Sequence, residues 1–169
     1  GRDQPVGMYI DGVPIAKSTG AAFDTVDLER VEVLRGPQGT LYGKNTIGGA
    51  VNLVTRRPTG VFGGKLMMGV GSADLFEQRL SLDLPSFGEV GTGLGAFDIK
   101  VAYAGRTRDG FFDNTAPNAR FSTFGEQNQQ AGRVDVVWRP MENLSFAYGF
   151  DDTASRGSPA MLAISAPGL

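Results

Sequence analysis

The stretch that decides the fold runs from Val31 to Pro58 and reads VEVLRGPQGTLYGKNTIGGAVNLVTRRP. It opens with alternating residues that place Val31 and Val33 on one face, a pattern typical of a strand. Gly36 and Pro37 end that strand, because glycine permits backbone angles closed to other residues and proline has no N–H to donate to a sheet. The stretch therefore begins with a predicted strand that stops at a turn.

A second strand is predicted at the far end of the same stretch. Leu41-Tyr42-Gly43 predicts one short helical turn or tight bend that ends at the glycine. Gly48-Gly49 lets the backbone bend again. Ala50 to Thr55 resumes as a strand, and Pro58 ends it.

In order and spacing, these motifs resemble the C-terminal half of the plug domain of TonB-dependent outer-membrane receptors. The resemblance covers Pro5 to Pro58 well and the remainder by pattern only. The plug–barrel motif comprises Arg35, Gly36, Pro37, Leu41, Tyr42, Gly43, Gly48 and Gly49. The resemblance implies that the Arg35 side chain pairs with carboxylates on the inner wall of the barrel, a geometry that a planar guanidinium suits.

The same resemblance implies energy-coupled uptake of a scarce nutrient across the bacterial outer membrane. The implied partners are outer-membrane lipid, an extracellular nutrient ligand and the TonB energy-transducing complex, contacted through a segment N-terminal to this chain. An iron–siderophore complex is one such ligand, and cobalamin, heme and saccharide stay open. The chain starts at Gly1 in mid-domain, so we expect an internal fragment of a longer protein.

The composition of the 169 residues argues against several other classes. A net charge of −2 gives no electrostatic case for nucleic acid. Without Cys or His, zinc sites built from thiolate or imidazole and Ser–His or Cys–His nucleophile pairs are impossible. We therefore expect no enzyme, no metal and no cofactor. No apolar run approaches the roughly 20 residues of a membrane-spanning helix.

Upstream of the decisive stretch, the sequence predicts a hairpin and a helix. Asp11-Gly12 lies between two apolar runs and is a hairpin signal. Pro14 limits the second arm of that hairpin to an edge position. Asp24 to Arg30 offers Asp24 or Thr25 as an N-cap, which favours a short helix.

Beyond Pro58 the pattern changes to five segments of period two. They are predicted as antiparallel strands and span Lys65–Val70, Phe76–Leu84, Phe97–Ala104, Arg133–Arg139 and Leu144–Asp151. The predicted fold is thus mainly β: a plug fragment of mixed strands with short helices, then about five antiparallel strands of an incomplete transmembrane barrel. We assign 1–58 to the plug, 59–64 to a linker and 65–169 to the barrel.

Alternation alone fits a soluble β-rich binding module better than a barrel, because soluble sheets bury one apolar face on a core. Three features favour the barrel. The second face of each segment is charged or small, which suits a wet lumen. Aromatic residues stand at or near strand ends, as in interfacial girdles: Phe76, Tyr103, Trp138 and Phe150. The plug-like segment upstream is the third feature.

The connection between the third and fourth segments, residues 105–130, is long and polar, which is typical of an extracellular loop of such a barrel. The short connection at 140–143 is then periplasmic. Four aromatic side chains in the long loop are candidates to face a ligand: Phe111, Phe112, Phe121 and Phe124. The alternative is that they pack within the loop.

Overall fold

The computed structural model describes residues 6–15, 27–36, 48–114 and 123–158. Every regular element in these ranges is a strand, and none of their residues belongs to a helix long and apolar enough to span a membrane. The strands are β1 (Val6–Ile10), β2 (Val13–Pro14), β3 (Leu28–Arg35), β4 (Gly49–Thr55), β5 (Gly63–Gly71), β6 (Leu75–Asp83), β7 (Ala96–Arg108), β8 (Phe112–Asp113), β9 (Thr123–Phe124), β10 (Gln127–Met141) and β11 (Leu144–Gly157).

A four-stranded small sheet has the order β2-β1-β4-β3. The predicted hairpin is confirmed: β1 and β2 are antiparallel, and Asp11 and Gly12 between them have φ of 49° and 81°. Two positive φ angles in a row are those of a type I′ turn, which matches the twist of the strands it joins. Pro14 lies on the edge strand, as predicted. The next pair, β1 and β4, is parallel, with Val6 opposite Gly49.

The predicted helix at Asp24 to Arg30 is wrong from Leu28 onward, where the chain is already in β3; residues 24–26 lie outside the described ranges. Leu28 pairs with Thr55, and a register shift follows before Arg30. Asp27, in the first turn of the expected helix, forms an ion pair with Lys100 of β7. Long-range pairing therefore outweighs the local capping signals.

A five-stranded large sheet has the order β11-β10-β7-β6-β5, with every neighbouring pair antiparallel. This confirms the five predicted strands. Two expected boundaries move: Gly63 and Gly64 of the predicted linker belong to β5, and the long loop shrinks to 109–126. Gln127 pairs with Arg108 although the apolar alternation has stopped there. Backbone hydrogen bonds continue the pairing beyond the residues with apolar alternation. The alternation therefore underestimates the length of the strand.

The two faces of the large sheet differ in chemistry. The face turned toward the small sheet buries small and charged side chains: Asp98, Lys100, Ala102, Ala104, Ala131 and Arg133. The opposite face exposes large apolar side chains, among them Leu66, Leu80, Val101, Val134 and Phe146. No described element covers the apolar face. The buried interior between the two sheets is therefore polar, and the exposed face of the large sheet is apolar.

Candidate functional site

The hairpin turn of the small sheet is tied to the end of β4 by the Asp11 carboxylate. Its Oδ1 accepts the Thr55 amide at 2.8 Å, and its Oδ2 accepts the Thr55 hydroxyl at 2.6 Å. The Asp11 amide donates to the Leu53 carbonyl oxygen at 2.9 Å. Beside it the Gly12 amide donates to Asn52 Oδ1 at 3.1 Å. The turn and the end of β4 therefore form one unit.

Arg133 of β10 joins this unit to the large sheet. Its Nη2 donates to Asp11 Oδ2 and to Thr55 Oγ1, each at 3.1 Å. On its own sheet, Nε donates to both oxygens of Asp135 at 2.8 and 2.9 Å, and Nη1 donates to both oxygens of Asp151 at 2.8 and 3.0 Å. We call these five residues the Arg133 cluster. The Arg133 side chain is 7% exposed, and three carboxylates compensate its buried charge.

A second group, the Asp27 cluster, joins the sheets elsewhere and consists of Asp27, Arg56, Ser81 and Lys100. The Lys100 ammonium, whose side chain is 1% exposed, forms an ion pair with Asp27 and donates to the Arg56 carbonyl oxygen at 3.1 Å. The Ser81 hydroxyl donates to Asp27 at 2.9 Å, and Arg56 Nε lies 3.6 Å from the same carboxylate. Burial opposes ionisation, but the hydrogen bonds from Lys100 and Ser81 outweigh it and lower the pKa of Asp27.

A third contact secures the chain where it passes from one sheet to the other. Asp98 Oδ2 lies 2.8 Å from Arg139 Nη2, and its Oδ1 accepts the Ser86 hydroxyl at 2.5 Å. Gly60, at φ 71°, lies against Ser86 Oγ and Asp98 Oδ1, and a Cβ at this position would overlap both atoms. Glycine is therefore required for the connection to approach the wall so closely.

An open groove of about 830 Å³ lies between the hairpin and strands β10 and β11. Its lining includes Asp11, Asn52, Arg133, Asp135 and Asp151. The Arg133 cluster thus borders this groove. In the described part of the chain, no three acidic side chains are grouped so as to hold a metal ion.

Residues 1–50 match the family model of the TonB-dependent receptor plug domain. The pesticin receptor of Yersinia pestis is 44% identical over 80 residues, which are 47% of this chain and 12% of that receptor. The crystal structure of the ferric yersiniabactin uptake receptor from Yersinia pestis superposes with a TM-score of 0.72 at 30% identity, covering 90% of this chain and 23% of that one.

The chain matches a fragment of a TonB-dependent receptor. The ferripyoverdine receptor of Pseudomonas aeruginosa is a further relative, 35% identical over 81 residues that make up 44% of this chain and 10% of that receptor. The chain therefore spans about a tenth of the length of these curated relatives. The residues that match the plug model contain β1, β2, β3 and the start of β4, and we therefore call the small sheet the plug part.

The plug–barrel motif predicted from the sequence is described in part. Arg35 is exposed at the end of β3, and Gly36 follows at φ 83°. Gly49 has φ 141°, and a Cβ there would overlap the Leu34 carbonyl oxygen, so this position requires glycine. Gly48 is exposed at the bend before β4. Pro37, Leu41, Tyr42 and Gly43 lie outside the described residues.

The structure brings together three of the four candidate phenylalanines of the long loop. Phe112 and Phe124 pair across the short ribbon of β8 and β9, and the Phe111 amide donates to the Phe124 carbonyl oxygen at 2.9 Å. The Arg108 guanidinium lies 4.5 Å from the centre of the Phe111 ring. Phe111 and Phe112 remain exposed, while Phe121 lies outside the described residues. Ligand contact by these rings stays a prediction.

The described contacts between plug and wall were not predicted from the sequence. The resemblance placed the cation, Arg35, on the plug and the carboxylates on the wall. Two described ion pairs have the opposite polarity: Lys100 and Arg133 are wall residues, and Asp11 and Asp27 belong to the plug. The pairing of Arg35 stays a prediction. One feature of the sequence could have indicated these contacts. Lys100 and Arg133 each lie on the predicted inner face of a strand whose other inward residues are mostly small or acidic. This feature indicates a need for partners without naming them.

Proposed function

We propose that this chain is part of an energy-coupled outer-membrane receptor that takes up an iron–siderophore complex. The observation that carries the proposal is a plug-family sheet packed on the polar face of an antiparallel sheet whose opposite face is apolar and exposed. A sheet with this distribution suits a barrel wall, with lipid outside and a filled, polar lumen inside. Its location is the bacterial outer membrane.

The ligand class follows from the relatives. They are named as receptors for ferripyoverdine, for catecholate siderophores in Escherichia coli and for ferric yersiniabactin. These ligands are all iron–siderophore complexes, which supports the same class here over cobalamin, heme or saccharide. The relatives are receptors and not enzymes, and we propose that this chain has no catalytic activity either.

We propose the division of the chain as 1–58 for the plug, 59–64 for the linker, of which Gly63 and Gly64 already pair as the start of β5, and 65–169 for the barrel strands. The alternative of a soluble binding module requires a layer over the apolar face of the large sheet, and the described elements supply none. Lipid is therefore the proposed partner of that face. The TonB complex is the proposed energy source, contacted through a segment N-terminal to this chain.

The orientation follows from how the connections are grouped. The turn at 72–74 and the loop at 109–126 meet at one end, where the Asp109 amide donates to the Ala73 carbonyl oxygen at 2.8 Å. The connection at 84–95 and the turn at 142–143 meet at the other, where the Gly91 amide donates to the Pro140 carbonyl oxygen at 3.1 Å. We place the first end outside the cell, where Phe111, Phe112 and Phe124 are available to a ligand.

Uptake by cells tests this function. A strain that lacks its own siderophore receptors and expresses the full-length receptor is given a panel of radio-iron-loaded siderophores. We expect accumulation of at least one, abolished by a protonophore or by loss of TonB. A strain carrying the empty vector is the control. If no siderophore accumulates while the receptor is present in the outer membrane, the assigned ligand class is wrong.

Arg35 is proposed to hold the plug in the closed barrel. Replacing Arg35 with alanine in the full-length receptor leaves any acidic partners unpaired, and we expect faster amide hydrogen exchange over 28–35 and 49–55 with little change in the large sheet. Lysine at position 35 restores protection only in part, because it lacks the bidentate fork. Equal exchange in wild type and Arg35→Ala contradicts this role.

A further inference from the structure

We infer that the plug part is held to the wall by two unlike anchors, a fixed one at Asp27 and Lys100 and a releasable one at Asp11 and Arg133. Lys100 and Arg133 are positioning residues of the wall. In the uptake cycle, on which this inference rests, the hairpin end of the small sheet leaves the wall first, while β3 stays attached through Asp27.

The fixed anchor is costly to open because the carboxylates that stand opposite Lys100 in the ladder, Asp83 and Asp135, are engaged by other donors. Asp135 binds Arg133, and Asp83 accepts the Thr59 amide at 2.9 Å. The Lys100 ammonium is buried, and its two partners there are the Asp27 carboxylate and the Arg56 carbonyl oxygen, both on the plug side. Removing the plug strand from this point takes away both at once. A buried ammonium without a carboxylate partner is strongly unfavourable.

The releasable anchor differs because Arg133 keeps most of its partners when the hairpin leaves. Four of its hydrogen bonds go to Asp135 and Asp151 of the wall, and two go to Asp11 and Thr55 of the plug. Only Nη2 bonds to the plug, and the same nitrogen lies 2.7 Å from Asp135. The guanidinium therefore stays neutralised after release, so the cost of an unpaired buried charge does not arise.

Water is also available at the releasable anchor. The Asp11 side chain is 37% exposed and borders the open groove, so its carboxylate is rehydrated as it departs. Asp11 carries Thr55 with it through the two hydrogen bonds that join them. The next residue, Arg56, belongs to the Asp27 cluster, and β3 stays paired with β4 from Leu28 opposite Thr55 onward. The small sheet therefore turns as one body, with the Asp27 anchor as its pivot.

Screening by salt tests the difference between the two anchors without any mutation. The Debye length falls from about 10 Å at 0.1 M to about 3 Å at 1 M salt, and exposed ion pairs weaken far more than buried ones. We measure amide hydrogen exchange of the full-length receptor in outer-membrane vesicles at both concentrations of NaCl. Exchange over 6–15 should rise by about threefold to tenfold, and exchange over 28–35 should stay within about twofold.

Variants assign the salt response to the named residues. Asp11→Asn should remove most of the response of 6–15, whereas Asp152→Asn, an exposed neighbour of Asp151, should leave it intact. Asp27→Asn should speed exchange over 28–35 at both salt concentrations. An equal response of both segments in wild type, or a full response in Asp11→Asn, overturns the inference. These readouts need neither ligand nor TonB, so a failure of siderophore uptake counts against the proposed function alone.

Discussion

The face of the large sheet that meets the small sheet carries Asp98, Lys100 and Arg133, whereas the opposite face carries side chains such as Val101 and Val134. In a soluble sandwich the apolar side is the buried one. Here the burial of charge is tolerated because each buried ion has a counter-ion within hydrogen-bonding distance. The comparison teaches that the inner face is held by specific pairs, while the outer face depends on its surroundings.

A charge on the outer face should have the largest effect. Val101 lies near the middle of β7, is 41% exposed and pairs with Leu82 and Val134. Replacing it with arginine in the full-length receptor should lower the free energy of unfolding in lipid vesicles by about 2–4 kcal/mol if, as proposed above, that face meets hydrocarbon. Arg79→Gln on the inner face is the control and should change it by less than about 0.5 kcal/mol. Equal costs would break the comparison.

Loss of a counter-ion on the inner face should have the next largest effect. Asp27→Asn keeps the shape of the side chain but removes the negative charge from the buried Lys100 ammonium. We expect the free energy of unfolding to fall by about 2 kcal/mol, below the usual cost of breaking a buried pair, because Lys100 keeps its hydrogen bond to the Arg56 carbonyl oxygen. The exposed turn residue Asp74, replaced by asparagine, is the control. No difference between the two variants would show that Asp27 and Lys100 are not coupled.

The smallest effect concerns pH and sharpens the same comparison. The pKa of Asp27 is lowered from 3.8 in the folded chain, so its ionisation stabilises the fold above that value, and the contribution is lost as the pH falls through the lower folded pKa. The difference in unfolding free energy between wild type and Asp27→Asn should be constant from pH 8 to about pH 5 and shrink below about pH 4. If this difference already shrinks near neutral pH, the pH dependence comes from a group other than Asp27.

The sequence was sufficient for elements whose signal is local. The Asp11-Gly12 turn, the edge position of Pro14 and the five alternating strands are all read from residues within a few positions of each other. The strand at Leu28 was missed because capping preferences are worth little beside a full ladder to β4. The alternation of β7 predicts the face of the sheet on which Lys100 lies, but it does not predict the ion pair with Asp27.

The partners in the candidate site were out of reach for the same physical reason. Asp11 and Asp27 look like a turn residue and a residue in the first turn of a helix when only neighbouring residues are considered. Their contacts with Arg133 and Lys100 depend on how the small sheet rests on the large one, which no period in the sequence encodes. The motif at Arg35 could be recognised from the sequence. The pairing of the wall cations with the plug carboxylates could not.

The distance along the chain between Asp11 and Arg133, 122 positions, has a consequence for the order of assembly. Strands β10 and β11 are joined by two residues and pair at once, whereas closing a loop of that length costs far more entropy and slows the contact. The Asp11 hairpin precedes β10 along the chain, yet it is therefore among the last elements to find its partner. Until β10 is in place, the Asp11 carboxylate lacks the Arg133 guanidinium. Docking of the hairpin therefore follows the pairing of β10 in the large sheet.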